Sequence, residues 1–472
     1  MNINFDNGDD GERAEDMERK LRKFKRALKN QEDITPKLSD QDTLENLVGY
    51  CFEKEAYHDA LIFCNIWCEL FPYSYDAFNK RGQALFNVGK YRLALDSMNR
   101  ALSLNPNDPD ALLNKALVFL NAGKHRLALK YARKALKLDP GNEEMIYYIG
   151  LIYQSMKKYS KALAAFSAIE NSEEFASEAL QEMAYSYNNM GDLENSTDYY
   201  LKAIDENPFD ANLWYNLGVV YYYRNKFFKS IDAYEMALAI DDKFFLAWYN
   251  LGNTYNSIRR TDKAIESFEK ALEFSEGDMD TIHNLAGAYA EIGEYGKAID
   301  IYTDAIGRDP RRYQSYFGRA VCYDASEQYE LAVIDFNAAL ALEPNHADAI
   351  YAKGDSLLSL NRIREASECY SQVIQLEPDN MAARIDYGST LLELGDLIES
   401  FEAFNQVIEL QPTWAEGYYF LAKVLALFGE LRHAAKLLIR AFEIDPRKRD
   451  DFEKEFPAFT QDFSALRSLL VE

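Results

Sequence analysis

Cysteine is scarce in this chain: Cys51, Cys64, Cys68, Cys322 and Cys369 are the only five in 472 residues. An odd, sparse set argues against a disulfide framework and fits a reducing cytosol, so a cytoplasmic location is expected. Positive charge is also short. Lys and Arg number 52 against 77 Asp and Glu, a formal net charge of −25. Such a field repels phosphate backbones, so no nucleic-acid partner is expected. No apolar run is long enough to span a bilayer, and no membrane span is expected. The start, MNINFDNGDD, is acidic and shows no apolar h-region, so no signal peptide is expected. Apolar residues make up 48% of the chain, with 33 Tyr and 28 Phe, which is ample material for a core.

What is present is repetition. WYNLGVVYYYRNKFFKSIDAYEMAL (214–238) is followed 34 residues later by WYNLGNTYNSIRRTDKAIESFEKAL (248–272). With the first place set at Gln41, twelve such repeats run to Lys448 without an insertion or deletion. The eighth place is Gly or Ala in eleven of the twelve, Val48 being the exception, and the twentieth is always Ala or Ser. Nine of the twelve prolines fall at the thirty-second place, so proline acts as punctuation. A fixed period of this length marks a repeat architecture.

Each repeat reads as two helices. Trp214, Leu217, Gly218 and Tyr221 share one helical face, Asn225 and Lys226 mark a turn, and Ser230, Tyr234, Ala237 and Leu238 share a second face. Proline then stops the second helix. Small residues stand where two backbones approach, and aromatics at the fourth, eleventh and twenty-fourth places fill the space left. One hairpin cannot bury its apolar surface alone, so neighbours must stack into a solenoid.

This pattern resembles the tetratricopeptide repeat family, on Trp214, Leu217, Gly218, Tyr221, Ser230, Tyr234, Ala237 and their equivalents over residues 41–448. The resemblance implies an all-α, right-handed superhelix whose first helices line a concave groove. Three departures stand out. The first repeat carries Val48, Cys51 and Cys64, the fourth closes with IENSEEFA, and the seventh closes with FSEGDM; a change of pitch is expected at the last two junctions. Outside the repeats, residues 1–40 read as a charged arm, partly disordered, with a short basic amphipathic helix on Met17, Leu21, Phe24 and Leu28. Residues 449–472 read as a capping helix.

No catalytic constellation stands out. The five His occupy five different repeats, and no Walker loop, GxSxG or HExxH motif occurs. Cys64 and Cys68, one turn apart, fall at places that are apolar elsewhere and read as core. No catalytic residue, metal site or cofactor is expected, and the protein is expected not to be an enzyme.

The resemblance directs attention to the groove, where the second, fifth, sixth and ninth places should face a ligand. Asn114, Asn216, Asn250 and Asn284 hold the sixth place, and Asn253 adds an amide at the ninth. Such a row resembles the asparagine ladder in the repeat arm of O-linked N-acetylglucosamine transferases and could grip a peptide backbone. The same amides could instead bond the neighbouring helix. At the fifth place stand Tyr147, Tyr215, Tyr249, His283, Phe317 and Tyr351, as contact surface or as seam packing. Acids occupy the second place in eight repeats, Asp280 and Asp348 among them; the helix dipole favours them there, and stacked together they create a negative field. The Lys, Arg and Asn clamp by which co-chaperones of this family hold a C-terminal carboxylate is absent, so binding of chaperone tails is disfavoured. The expected function is a scaffold binding an extended or helical, basic and partly apolar peptide. The alternative is a regulatory or substrate-recruiting subunit of an enzyme, for example a transferase, whose catalytic part is another chain.

Overall fold

Twelve helical hairpins follow one another in the computed structural model, which describes residues 8–30, 38, 40–275 and 277–455. All the regular structure in those residues is helical, in 26 helices. The chain is an all-α helical repeat solenoid. It divides into two compact halves, Met1–Ile240 and Asp241–Glu472. Among the described residues no helix is long and apolar enough to cross a membrane.

Local chemistry sets each boundary. Except at the fourth junction, where Phe175 precedes the helix, the thirty-fourth place is the N-cap of the next first helix: Ser74, Asn142, Asp278 and Asn380 each accept a hydrogen bond from the backbone N–H three residues on. These side chains satisfy donors that the helix start leaves open. The fifteenth place adopts a left-handed backbone in all twelve repeats, from Glu55 (φ 52°) to Gly429 (φ 82°). That one residue reverses the chain between paired helices. Proline is not required to end the second helices. Repeats with Asp242 or Glu276 in its place stop at Ile240 and Phe274, the same point as their neighbours.

The small eighth place has a definite cause. A Cβ added to Gly252 would lie 2.6 Å from the Phe268 ring, and one added to Gly218 would lie 2.6 Å from Tyr234. Phe268 and Tyr234, at the twenty-fourth place, are fully buried. The first repeat inverts the volumes, with Val48 at the eighth place and Cys64 at the twenty-fourth, both buried in one core cluster. Serines at the twentieth place also tie the hairpin: Ser230 Oγ donates to the Gly218 carbonyl at 2.8 Å, and Ser400 Oγ to that of Gly388 at 2.8 Å. The tryptophans brace loops. Trp214 Nε1 donates to the Pro208 carbonyl at 2.9 Å, and Trp248 Nε1 to the Asp242 carbonyl at 2.9 Å.

At the fourth junction the second helix, Tyr159–Phe166, has only 8 residues where its equivalents have 14. Ile169 is buried in the loop that replaces the missing turns, and Ser172 Oγ donates to Glu143 at 2.6 Å. At the seventh junction the helices keep their ordinary lengths.

Ahead of the repeats, one helix spans Gly8–Lys29, longer than its basic stretch suggests. Phe24 and Ala27 are buried against the first repeat, Met17 and Leu21 pack beside them, and Lys25 pairs with Asp59 at 2.8 Å. The Leu28 side chain lies outside the described residues. After the repeats, Arg447–Glu455 is helical, and Phe452 packs on Phe442 with ring centroids 6.0 Å apart. The rest of the expected cap, from residue 456, lies outside the described residues.

Candidate functional site

Within each half, the face lined by first helices is built from the fifth, sixth and ninth places. The fifth-place rings lean inward. Tyr147 meets Phe166 at 5.8 Å between ring centroids, Tyr215 meets Tyr234 at 5.9 Å, and Tyr249 meets Phe268 at 6.2 Å. His283 on Tyr302, Phe317 on Phe336 and Tyr351 on Tyr370 repeat the contact at 5.5, 6.0 and 5.5 Å. These side chains are half-buried: one side closes the core and the remainder meets the face.

Two of the sixth-place amides, Asn114 and Asn284, join consecutive first helices. Asn114 is buried; its Nδ2 donates to Asn79 Oδ1 at 2.9 Å and its Oδ1 accepts from Gln83 Nε2 at 3.2 Å. Asn284 Nδ2 donates to Asn253 Oδ1 at 2.8 Å and to the Tyr249 hydroxyl at 3.4 Å. Asp386 takes the same place and accepts from the Tyr351 hydroxyl. The structure therefore brings Tyr249, Asn253 and Asn284 together in the C-terminal half, and Asn114 with Asn79 and Gln83 in the N-terminal half. Asn250 is half-buried in the former and Asn216 in the latter. The row breaks at Gly318, because a Cβ there would lie 2.4 Å from the Tyr302 ring.

The second-place acids differ from one another. Asp348 is exposed, Asp280 pairs with Arg312, and Glu416 pairs with Lys448 at 3.2 Å. His283 lies beside the Asp280–Arg312 pair with Nδ1 buried and unpartnered. Burial holds its imidazole below the ordinary range, and Arg312 adds to the effect while Asp280 opposes it. A folded-state pKa below the unfolded value means stability that is full above the ordinary imidazole pKa and is lost as pH falls through the folded one. His283→Phe, matching Phe317, is expected to remove that acid sensitivity from the C-terminal half. Melting curves between pH 5 and 8 check this; an unchanged pH dependence in the variant refutes it.

The N-terminal half holds a pocket of about 200 Å³ on this face. Phe52, Phe86, Leu117 and Met98 supply its apolar lining, Gln83, Asn87 and Asn114 its amides, and Glu144 with Tyr148 its polar margin. Burial pushes the Glu144 carboxyl up, and Asp110 and Glu174 reinforce the shift. Burial also raises Asp76 and Asp108 nearby.

Tetratricopeptide repeat models match residues 79–143, 177–210, 211–244, 245–278, 283–347 and 351–415, well over half of the chain. The chain belongs to the tetratricopeptide repeat family. Among solved structures, the tetratricopeptide repeat protein YrrB, described as having an unusual peptide-binding site, is 26% identical, with a TM-score of 0.35 over 39% of this chain and 95% of that one. A tetratricopeptide repeat protein from Parabacteroides merdae is 16% identical, with a TM-score of 0.42 over 53% of this chain and 98% of its own. A chain of the APC/C hetero-tetramer Cut9–Hcn1 is 12% identical, with a TM-score of 0.39 over 82% and 90%. No curated protein matches the chain.

A tetratricopeptide repeat chain is a protein–protein interaction scaffold, and the side chains on this face suit that role. Among the described residues no group of three or more His, Cys, Asp or Glu could hold a metal ion. All five cysteines are buried, and burial pushes the Cys51 and Cys68 thiols up to about 11. Sequence reasoning named only Asn114 of the amides and apolar groups in the pocket. Phe52 and Phe86 both hold the twelfth place, and an aromatic recurring there was the available signal.

Proposed function

We propose that the first-helix face binds a basic, partly apolar peptide segment, extended or helical, and performs no chemistry of its own. The pocket between Phe52, Phe86, Leu117 and Glu144 carries this reading. It offers an apolar seat beside the Glu144 carboxyl, whose pKa partial desolvation and the neighbouring Asp110 and Glu174 raise while Lys80 opposes them. A Lys or Arg of a partner would relieve the crowding of Glu144 by Asp110 and Glu174, and an adjacent Leu or Phe would fill the seat. Tyr249, Asn253, Asp280 and Asn284 supply a second stretch of polar contacts within the C-terminal half, with Tyr351 and Asp348 further along.

The test uses a fluorescein-labelled twelve-residue peptide of Lys, Leu and Phe. Leu117 is half-buried in the pocket wall. Leu117→Lys places a cation in the seat and is expected to weaken binding at least about tenfold, or roughly 1.4 kcal/mol. Equal affinity in a variant that keeps its helical circular dichroism refutes the reading.

A further inference from the structure

Charge is unevenly distributed along this acidic chain. Residues 77–169 hold 15 Lys and Arg but only 6 Asp and Glu, against an overall balance of −25. Many of these bases gather on one edge of the N-terminal half, at the turns that join paired helices in the second, third and fourth repeats. Lys90, Arg92, Lys124, Arg126, Lys157 and Lys158 are all exposed. Among the described residues none of the six forms an ion pair. In the C-terminal half three cations at the turns are paired, Arg260 with Asp262 at 3.7 Å, Lys297 with Glu294 at 3.6 Å, and Arg362 with Glu365 at 2.6 Å, while Arg259 stands exposed without an ion pair among the described residues.

The unpaired bases stand where local physics disfavours them. Lys90, Lys124 and Lys158 are the N-caps of their helices. The positive end of the helix dipole repels a cation there. Their geometry is held in common. Gly89, Gly123 and Lys157 share the left-handed turn conformation, and Ser155 Oγ bonds His125 Nδ1 at 3.0 Å, bracing the third turn against the fourth. Leu93 and Leu127, 50% and 40% exposed, hold the same place in adjacent repeats and add apolar contact.

We infer that this turn edge is a second docking surface, distinct from the first-helix face, and that its occupant is an acidic segment of a partner protein containing interspersed leucine-like residues. Charge complementarity sets the sign. Arg92 and Arg126 present planar forks suited to carboxylates. A bilayer or duplex would face much of a molecule whose net charge is −25 and be repelled by it. A short acidic peptide samples only the local field, because charge is screened within a Debye length of about 10 Å at 0.1 M salt.

The experiment measures fluorescence polarisation of a labelled twelve-residue peptide of Asp, Glu and Leu with the full chain at 50 mM salt. Saturable binding that weakens with added salt is expected. Lys90→Glu/Lys124→Glu/Lys158→Glu should weaken it at least about tenfold and still fold, since a helix N-terminus favours glutamate. Lys263→Glu/Lys297→Glu/Arg364→Glu adds the same charge at turns of the other half and should change affinity less than about twofold. No binding by the wild type, or equal losses in both triple variants, overturns the proposal. So does capture on phosphatidylserine vesicles, lost in the first variant, without peptide binding. The basic peptide of the first-helix face should bind the first variant at least as tightly as the wild type, so the two surfaces stand or fall separately.

Discussion

Replacing Arg319 by leucine is expected to cost the C-terminal half about 3–5 kcal/mol, because a buried carboxylate is left without its cation. Arg319 Nε donates to Asp335 Oδ2 at 2.6 Å, Nη2 to Oδ1 at 2.9 Å, and Nη1 to Thr303 Oγ1 at 3.0 Å. The Asp335 side chain is 6% exposed, so water cannot replace the guanidinium. The equivalent places two repeats earlier hold Leu251 and Ser267, an uncharged solution of the same packing problem. Arg319→Leu with Asp335→Ser should therefore recover most of the loss, since replacing both members of a buried pair is often close to neutral. Urea unfolding, with hydrogen exchange read over Tyr313–Ala325 and Tyr329–Leu342, locates the effect. A single variant within 1 kcal/mol of wild type, or a double variant no better than the single, would show that the pair contributes little.

The second large effect concerns Gly252 and Phe268. Gly252→Val forces a side chain into space held by the Phe268 ring and should cost about 1–3 kcal/mol, the usual range for overpacking. Phe268→Cys removes a fully buried ring and should cost about 3–5 kcal/mol, as truncations of core aromatics do. The first repeat pairs Val48 with Cys64 in those places. The double variant should thus lose clearly less than the sum of the singles, with a coupling of about 1–3 kcal/mol. Strict additivity in a double-mutant cycle would mean that the two places do not share one volume.

Much of the fold was legible because a period is a one-dimensional property. Glycine at 218 and 252, serine or alanine at the twentieth place and proline at the thirty-second all mark positions within a repeat. Pairs were harder to see. Asn284 bonds residues 31 and 35 positions earlier, Asn253 and Tyr249, and neither offset equals the 34-residue period along which the sequence was aligned. The N-caps escaped notice because Ser74, Asn142 and Asp278 differ in type while performing one task. The pocket was hidden for another reason. Phe52, Phe86 and Leu117 have ordinary core character, and only the stacking of consecutive first helices leaves space between them. The ladder reading and the seam reading of the amides were both open in the sequence. The hydrogen bonds of Asn114 and Asn284 show how these side chains serve the seam, and the proposed peptide must contact the atoms that remain.

The seams between repeats also bear on how such a molecule can change length. Within each half, consecutive hairpins close on one another through the same set of places. Copying or excising one 34-residue block inside a half leaves the flanking helices at either end where they were and requires no new solution for the interior. Only the lateral pairs, such as Asn253 with Asn284 or Tyr351 with Asp386, would have to be matched afresh at the join. The architecture resembles a ruler with interchangeable segments. Its reach would vary with the number of blocks, while each block keeps its own side chains along its edges.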